Sequence, residues 1–416
     1  MLSLLAVVGV LVAVFVGFNI GGSSTGVAFG PSVGSRIIRK ATAAGLFVVF
    51  AFLGAWTVGR NVIETMSSSI VPAAQFSPVA SVAVLFFTGA SLLVSNLYGV
   101  PASTSMTAVG AIVGLGLATG TLNEALMFTI VSAWVVAPLV GFGSGALIGR
   151  YAYPYLERRF AFTQFESHLV SLDRSGTLPR PEFADDASLR DIAGSVLVVV
   201  IACYMAFSAG ASNAANAVAP LVGANGPLTV DQGVLLAVFA FGLGGFTIAR
   251  RTLDTVGDDI TELPILAALT VSVVGGTIIT VLSVLGIPAS LAVSTTCCII
   301  GLGWGRASRV ATVVELATPT PEDAADIGVS TGALVTSRAE DAPASPTVGD
   351  LARGDTPPTE PPDELPDVPD IGEADAADLD RKSLFNPNAV TRIVTLWVLT
   401  PVLSVVCSYV VFLELL

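Results

Sequence analysis

A chain of 416 residues, 53% hydrophobic and 12% charged, with a mean hydropathy of +0.79, departs from soluble domains, which are roughly 25% charged, and reads as an integral membrane protein. The formal net charge of −13 belongs to one stretch: residues 311–380 hold 17 Asp and Glu against Arg338 and Arg353, a net of −15, leaving 17 basic and 15 acidic residues elsewhere. No basic patch supports nucleic-acid binding, and four cysteines inside apolar runs with a single histidine, His168, exclude a disulfide framework, a multi-histidine metal site and a histidine-based catalytic triad.

Apolar segments are expected at about 2–18, 41–59, 76–97, 102–118 and 124–149, and again at about 191–208, 231–249, 264–285, 287–304 and 388–415. Each approaches the roughly 20 residues that cross a hydrocarbon layer. The first, Leu2 to Val16, resembles a signal-peptide core, but no Lys or Arg precedes Arg36, so it is read as a mature transmembrane helix. Residues 151–190, with Arg158, Arg159, Asp173, Arg174 and Arg180, form a polar central loop. The positive-inside tendency places that loop in the cytoplasm. The expectation is a multi-pass protein of the cell membrane with the lipid bilayer as its partner; a homodimer is left open.

The two sets of five are copies, because residues recur in order at nearly constant offsets. At +189, Gly21, Ser23, Ala28, Pro31 and Gly34 match Gly210, Ser212, Ala217, Pro220 and Gly223. At +190, Gly54, Thr57, Arg60 and Thr65 match Gly244, Thr247, Arg250 and Thr255. At +187, Pro101, Ala102, Ser103, Gly114 and Gly116 match Pro288, Ala289, Ser290, Gly301 and Gly303, and at +263 Asn123, Trp134 and Pro138 match Asn386, Trp397 and Pro401. The jump from 187 to 263 marks a 76-residue insertion in the second copy. It is acidic, Pro-rich and nearly free of aromatics, and is expected to be disordered over about 306–385. The fold expected is therefore an all-α membrane protein of two inverted repeats, residues 1–150 and 191–416, each with about five apolar segments and with re-entrant or broken helices. If the fourth segment of each copy only dips in and returns, the simple odd-number argument for inversion no longer holds.

Two regions per copy interrupt the apolar pattern with Gly and small polar residues. The first is Ser23, Ser24 and Thr25, matched by Ser212, Asn213 and Asn216; the second is Ser103 and Thr104, matched by Ser290. Backbone released from a helix at membrane depth is tolerated only where it lines a cavity. Hydroxyls beside a helix N-terminus make a donor cluster suited to a tetrahedral oxyanion. These nine residues are the candidate substrate site; the competing reading is that small residues serve close helix packing.

The same residues resemble the inorganic phosphate transporters of the PiT type, whose members carry two copies close to G-A-N-D-x-A-N-A. The second copy here reads Gly210-Ala211-Ser212-Asn213-Ala214-Ala215-Asn216-Ala217. The family's Arg-x-x-x-x-Thr element resembles Arg60 to Thr65 and Arg250 to Thr255, its P-V-S-T-T-H element resembles Pro101 to Met106, and a late W-x-x-T-P element resembles Trp397 to Pro401. The resemblance implies a secondary transporter of inorganic phosphate across the cytoplasmic membrane, not an enzyme, with no bound cofactor and with Na⁺ or H⁺ as the coupling ion.

The departures bear on mechanism. The signature's Asn-Asp pair aligns with Ser23-Ser24 and Ser212-Asn213, so both carboxylates are missing and cation coupling is put in question. Leu291-Ala292-Val293 replaces the polar run in the second copy. An ionised carboxylate accepts the phosphate O–H and repels sulfate, so its loss opens a sulfate or mixed-oxyanion alternative. A membrane sensor or scaffold that has lost transport is the alternative from another class.

Overall fold

The computed structural model describes residues 4–97, 103–159, 170–173, 180–183, 189–223, 226–247, 249, 265–317 and 387–415. Residues 1–306 together with 387–416 form one compact unit, and 307–386 form a second. The expected disorder of the insertion, His168, the Arg250–Thr255 element and Pro101-Ala102 lie outside the described residues.

In chain order the elements are α1 (Leu4–Gly34), α2 (Lys40–Thr57), α3 (Gly59–Glu64) running into a π-helical turn (Thr65–Ser69), α4 (Pro78–Leu97), α5 (Thr104–Thr119), α6 (Glu124–Leu147) and α7 (Tyr153–Arg159). Two short strands follow, β1 (Val170–Asp173) and β2 (Arg180–Phe183), then α8 (Leu189–Val222), α9 (Val230–Thr247), α10 (Ile265–Val284), α11 (Leu291–Ala317) and α12 (Pro387–Leu415). Seven of the described helices are long and apolar enough to cross a membrane, with α5 and most of α4 as shorter apolar helices. The protein is a helical, multi-pass membrane protein.

Three expectations need correction. The signature stretches do not break their helices: α1 runs unbroken for 31 residues and α8 for 34. The glycines serve close packing instead, since a side-chain carbon on Gly21 would collide with the backbone of Phe241, and one on Gly210 with the backbone of Ala51. Among the described residues the chain leaves the helix at 285–290, between α10 and α11. Second, the central segment is not wholly loop: a π turn at Ile148–Ala152 carries the helix on to Arg159, and β1 pairs antiparallel with β2. Its register sets Val170 opposite Phe183 and Leu172 opposite Pro181, with Ser171–Glu182 and Asp173–Arg180 at the alternate positions, a period of two that suits a strand pair. Third, α11 continues to Ala317, past the expected start of the insertion.

Helix directions follow from close contacts. Gly17 and Gly21 of α1 meet Ala240 and Phe241 of α9, and Gly244 and Gly245 meet Phe18 and Thr25, so α1 and α9 run the same way. Since α9 follows α8 through a short turn, α1 runs against α8. The end of the π turn lies against the turn that follows α5: the Asn123 N–H donates to the Ile70 carbonyl at 3.0 Å, and Asn123 Nδ2 donates to the Ser69 carbonyl at 3.2 Å. In the second half, Gly275 meets Thr295, while Ala267, Val271, Cys298 and Leu302 share one apolar cluster, so α10 and α11 also run against each other.

The contacts repeat under exchange of the copies. Gly21 on Phe241 becomes Gly210 on Ala51, and Gly54 on Phe207 becomes Gly244 on Phe18, each at the offsets found in the sequence. Gly114 on Val405 becomes Gly301 on Phe142. At one interface the chemistry diverges: Ser404 and Ser408 of α12 donate to the carbonyls of Thr107 and Ala111 in α5, at 2.9 and 2.7 Å. The matching positions in α6 are Gly141 and Gly145, which lie directly on the carbonyls of Ser294 and Cys298.

Candidate substrate site

Ser103 caps the N-terminus of α5, its hydroxyl accepting the Met106 N–H at 3.3 Å. This leaves the N–H groups of Thr104 and Ser105, the first two of the helix, without intrahelical acceptors. Ser290 plays the same part for α11, accepting the Val293 N–H at 3.3 Å. The two caps are neighbours, because the Ser105 hydroxyl donates to the Ala289 carbonyl at 3.0 Å. Trp134 Nε1 holds the same connection by donating to the Pro288 carbonyl at 2.7 Å.

Against the α5 N-terminus stands the middle of α8. The Thr104 hydroxyl donates to Asn213 Oδ1 at 2.9 Å. Asn216 Nδ2 lies within donating distance of Thr104 Oγ1 at 3.2 Å, Ser105 Oγ at 3.0 Å and Asn213 Oδ1 at 3.1 Å. Asn213 and Asn216 are buried, as are Ser103, Ser105 and Ser212. Asn213 Nδ2 donates to no group among the described residues, and Ser212 Oγ and Asn216 Oδ1 are buried without a partner. The cluster thus offers amide and backbone donors at a helix N-terminus inside an apolar protein, a combination suited to a desolvated anion.

Of the nine residues expected from sequence, Thr104, Asn213 and Asn216 bond directly, while Ser103 and Ser290 cap the two helices that meet at the site. Ser212 lies one helical turn before Asn216. The first-copy stretch is placed differently. Ser23 is exposed and its hydroxyl donates to the Ile20 carbonyl at 3.1 Å; Thr25 is buried and donates to the Gly21 carbonyl at 2.7 Å, facing Gly245; Ser24 is half-buried. No hydrogen bond joins these three to Ser212, Asn213 or Asn216 among the described residues. Ser105 stands outside the nine expected residues, although it belongs to the polar run Pro101 to Ser105 that the sequence singles out. The hydroxyl beside Thr104 in the same polar run was the available signal.

Arg60, from the Arg-x-x-x-x-Thr element, lies at one end of the bundle. It donates to the Trp56 carbonyl at 2.7 Å, sits 4.3 Å from the centre of the Trp56 ring and pairs with Asp231 of α9 at 2.5 Å. Among the described residues no group of three His, Cys, Asp or Glu side chains could hold a metal ion.

The model of the phosphate transporter family matches residues 20–408. The sulfate permease CysP of Bacillus subtilis (strain 168) is 34% identical over 298 residues, which cover 71% of this chain and 77% of that one. The chloroplastic inorganic phosphate transporter 2-1 of Arabidopsis thaliana is 24% identical over 407 residues, covering 75% and 68%. A solved structure described as the sodium-dependent phosphate transporter aligns with a TM-score of 0.56 at 21% identity, covering 75% of this chain and 92% of that one, a likeness of fold.

Proposed function

The chain belongs to the phosphate transporter family, and from that premise we propose that it is a secondary transporter of a tetrahedral oxyanion, inorganic phosphate in the first reading. The observation that carries the proposal is the buried meeting of the α5 N-terminus with Asn213 and Asn216, where the Thr104 and Asn216 bonds are made without any ionised group. Backbone N–H groups, the Asn213 amide and the Ser212 hydroxyl supply the donors an oxyanion needs, and no bond of the substrate has to be broken. The antiparallel course of α1 and α8, and the contacts repeated on exchange of the copies, support an inverted arrangement in which one half rocks against the other around the site.

Coupling to Na⁺ or H⁺ is expected to be weak, because Ser24 and Asn213 stand where the family signature places carboxylates, leaving neutral oxygens as the available cation ligands. The same replacement favours sulfate as a second reading, as does the identity to a protein named a sulfate permease. Purified protein in liposomes tests the proposal through saturable uptake of labelled phosphate. Failure to take up either phosphate or sulfate above protein-free vesicles would favour the sensor or scaffold reading.

A further inference from the structure

We propose that Asn216 Oδ1 accepts the proton of bound hydrogen phosphate and so sets the choice between phosphate and sulfate, an inference that rests on the oxyanion-transport reading. The hydroxyl hydrogens around Asn216 are already committed: Thr104 donates to Asn213 Oδ1 and Ser105 to the Ala289 carbonyl. What Thr104, Ser105 and Asn213 present to Asn216 is therefore three acceptors, and these fix its amide with Nδ2 toward them. Oδ1 is left on the far side of the amide. Asn216 is 1% exposed, and this oxygen has no partner.

A buried carbonyl without a donor is unfavourable, and a ligand that brings one relieves it. HPO₄²⁻ carries one O–H and SO₄²⁻ carries none. A phosphate O–H brought to Asn216 Oδ1 pairs that oxygen, whereas sulfate leaves it unpaired. Because the amide oxygen is neutral, it does not repel a dianion as a carboxylate does, so discrimination is limited to the missing bond. Ser212 Oγ, the other unpartnered oxygen on this part of α8, can donate or accept and so pairs with either anion. It does not discriminate.

The test uses the full chain in liposomes, measuring uptake of labelled phosphate and labelled sulfate and the competition of each by the other. The wild type is expected to favour phosphate roughly tenfold, the scale of one buried hydrogen bond. Asn216→Ala should bring the ratio near unity while weakening both anions through loss of Nδ2, and Asn216→Asp should raise the ratio above wild type. The Asp variant keeps the question answerable if the Ala variant does not fold, as judged by its thermal midpoint. A wild type that favours sulfate, a ratio unmoved in both variants, or a ratio that follows Ser212→Ala instead would each overturn the assignment. Uptake of neither anion by wild type would remove the transport reading itself, a distinguishable result that overturns the assignment with it.

Discussion

The two copies of the signature stretch share a backbone and differ in almost everything their side chains do. On α8, Ser212, Asn213 and Asn216 are 0%, 6% and 1% exposed, and Asn213 and Asn216 bond the hydroxyls of Thr104 and Ser105. The exchange-related positions are Ser23, Ser24 and Val27 on α1, with Leu291 and Ala292 in place of Thr104 and Ser105. There Ser23 is exposed, Val27 is 43% exposed, and the bonding side chains have no counterpart. Both halves keep a serine cap on a helix N-terminus, and both keep the glycine contacts that seat α1 on α9 and α8 on α2. The glycine packing recurs at both sets of matched positions, while the bonded polar side chains lie at one of them. Ser212, Asn213 and Asn216 are all buried, whereas on α1 Thr25 is buried and Ser23 and Val27 reach the surface of the bundle.

The comparison breaks first at the packing the copies share. Gly210→Val forces a branched side chain into the backbone of Ala51, and overpacking of a fitted contact is worth roughly 1–3 kcal/mol or more. The expected outcome is loss of monodisperse protein, whereas Gly143→Ala, at a position with open space around it, leaves the thermal midpoint within about 1 °C. Equal tolerance of both changes would refute close packing as the role of the signature glycines.

At the site, Asn213→Ala removes a donor to a charged ligand, worth roughly 1.5–3 kcal/mol or about 10- to 100-fold in uptake below saturation. Ser24→Ala, its exchange mate, should change uptake less than about twofold, since its half-site holds no bonded cluster. Matching losses would show that both halves bind. In the other direction, Asn213→Asp restores a signature carboxylate and should make uptake more dependent on Na⁺, read as the ratio of rates with and without a Na⁺ gradient.

Exposure can be compared directly. With Cys203, Cys297, Cys298 and Cys407 replaced, Val27→Cys should react with a water-soluble thiol reagent and Ser212→Cys should not. Labelling in the reverse order would mean that Val27 faces lipid and that the burial of Ser212 is misassigned. The smallest effect is expected at Arg60 and Asp231, whose side chains are 35% and 58% exposed. Asp231→Asn should lower stability by no more than about 1 kcal/mol, less in high salt, as measured by the thermal midpoint.

Much of this architecture is legible in the residues themselves. The offset matches locate the copies, and the fourth segment expected at 102–118 corresponds to α5 at Thr104–Thr119. The run Gly21-Gly22-Ser23-Ser24 nevertheless reads as a helix break on propensity alone. What overrides propensity is the backbone of Phe241, a partner 220 residues away in sequence (241 − 21) that periodicity does not reveal. Ser105 escapes for the same reason, since its acceptor, Ala289, lies 184 residues further on. The strand pair is hidden because each strand has four residues, too short for alternation to stand out from a polar segment. Thr104, Asn213 and Asn216 were found because polar side chains inside apolar segments stand out against their background, whatever their partners.

The central claim is that the anion is held by the α5–α8 half alone. An experimental structure of the protein with phosphate bound tests it most directly. The account predicts the anion within hydrogen-bonding distance of the Thr104 N–H and Asn213 Nδ2, displaced from the exchange axis toward α8. An anion seated instead at the N-terminus of α11 beside Ser24, or shared equally between the two halves, would contradict it.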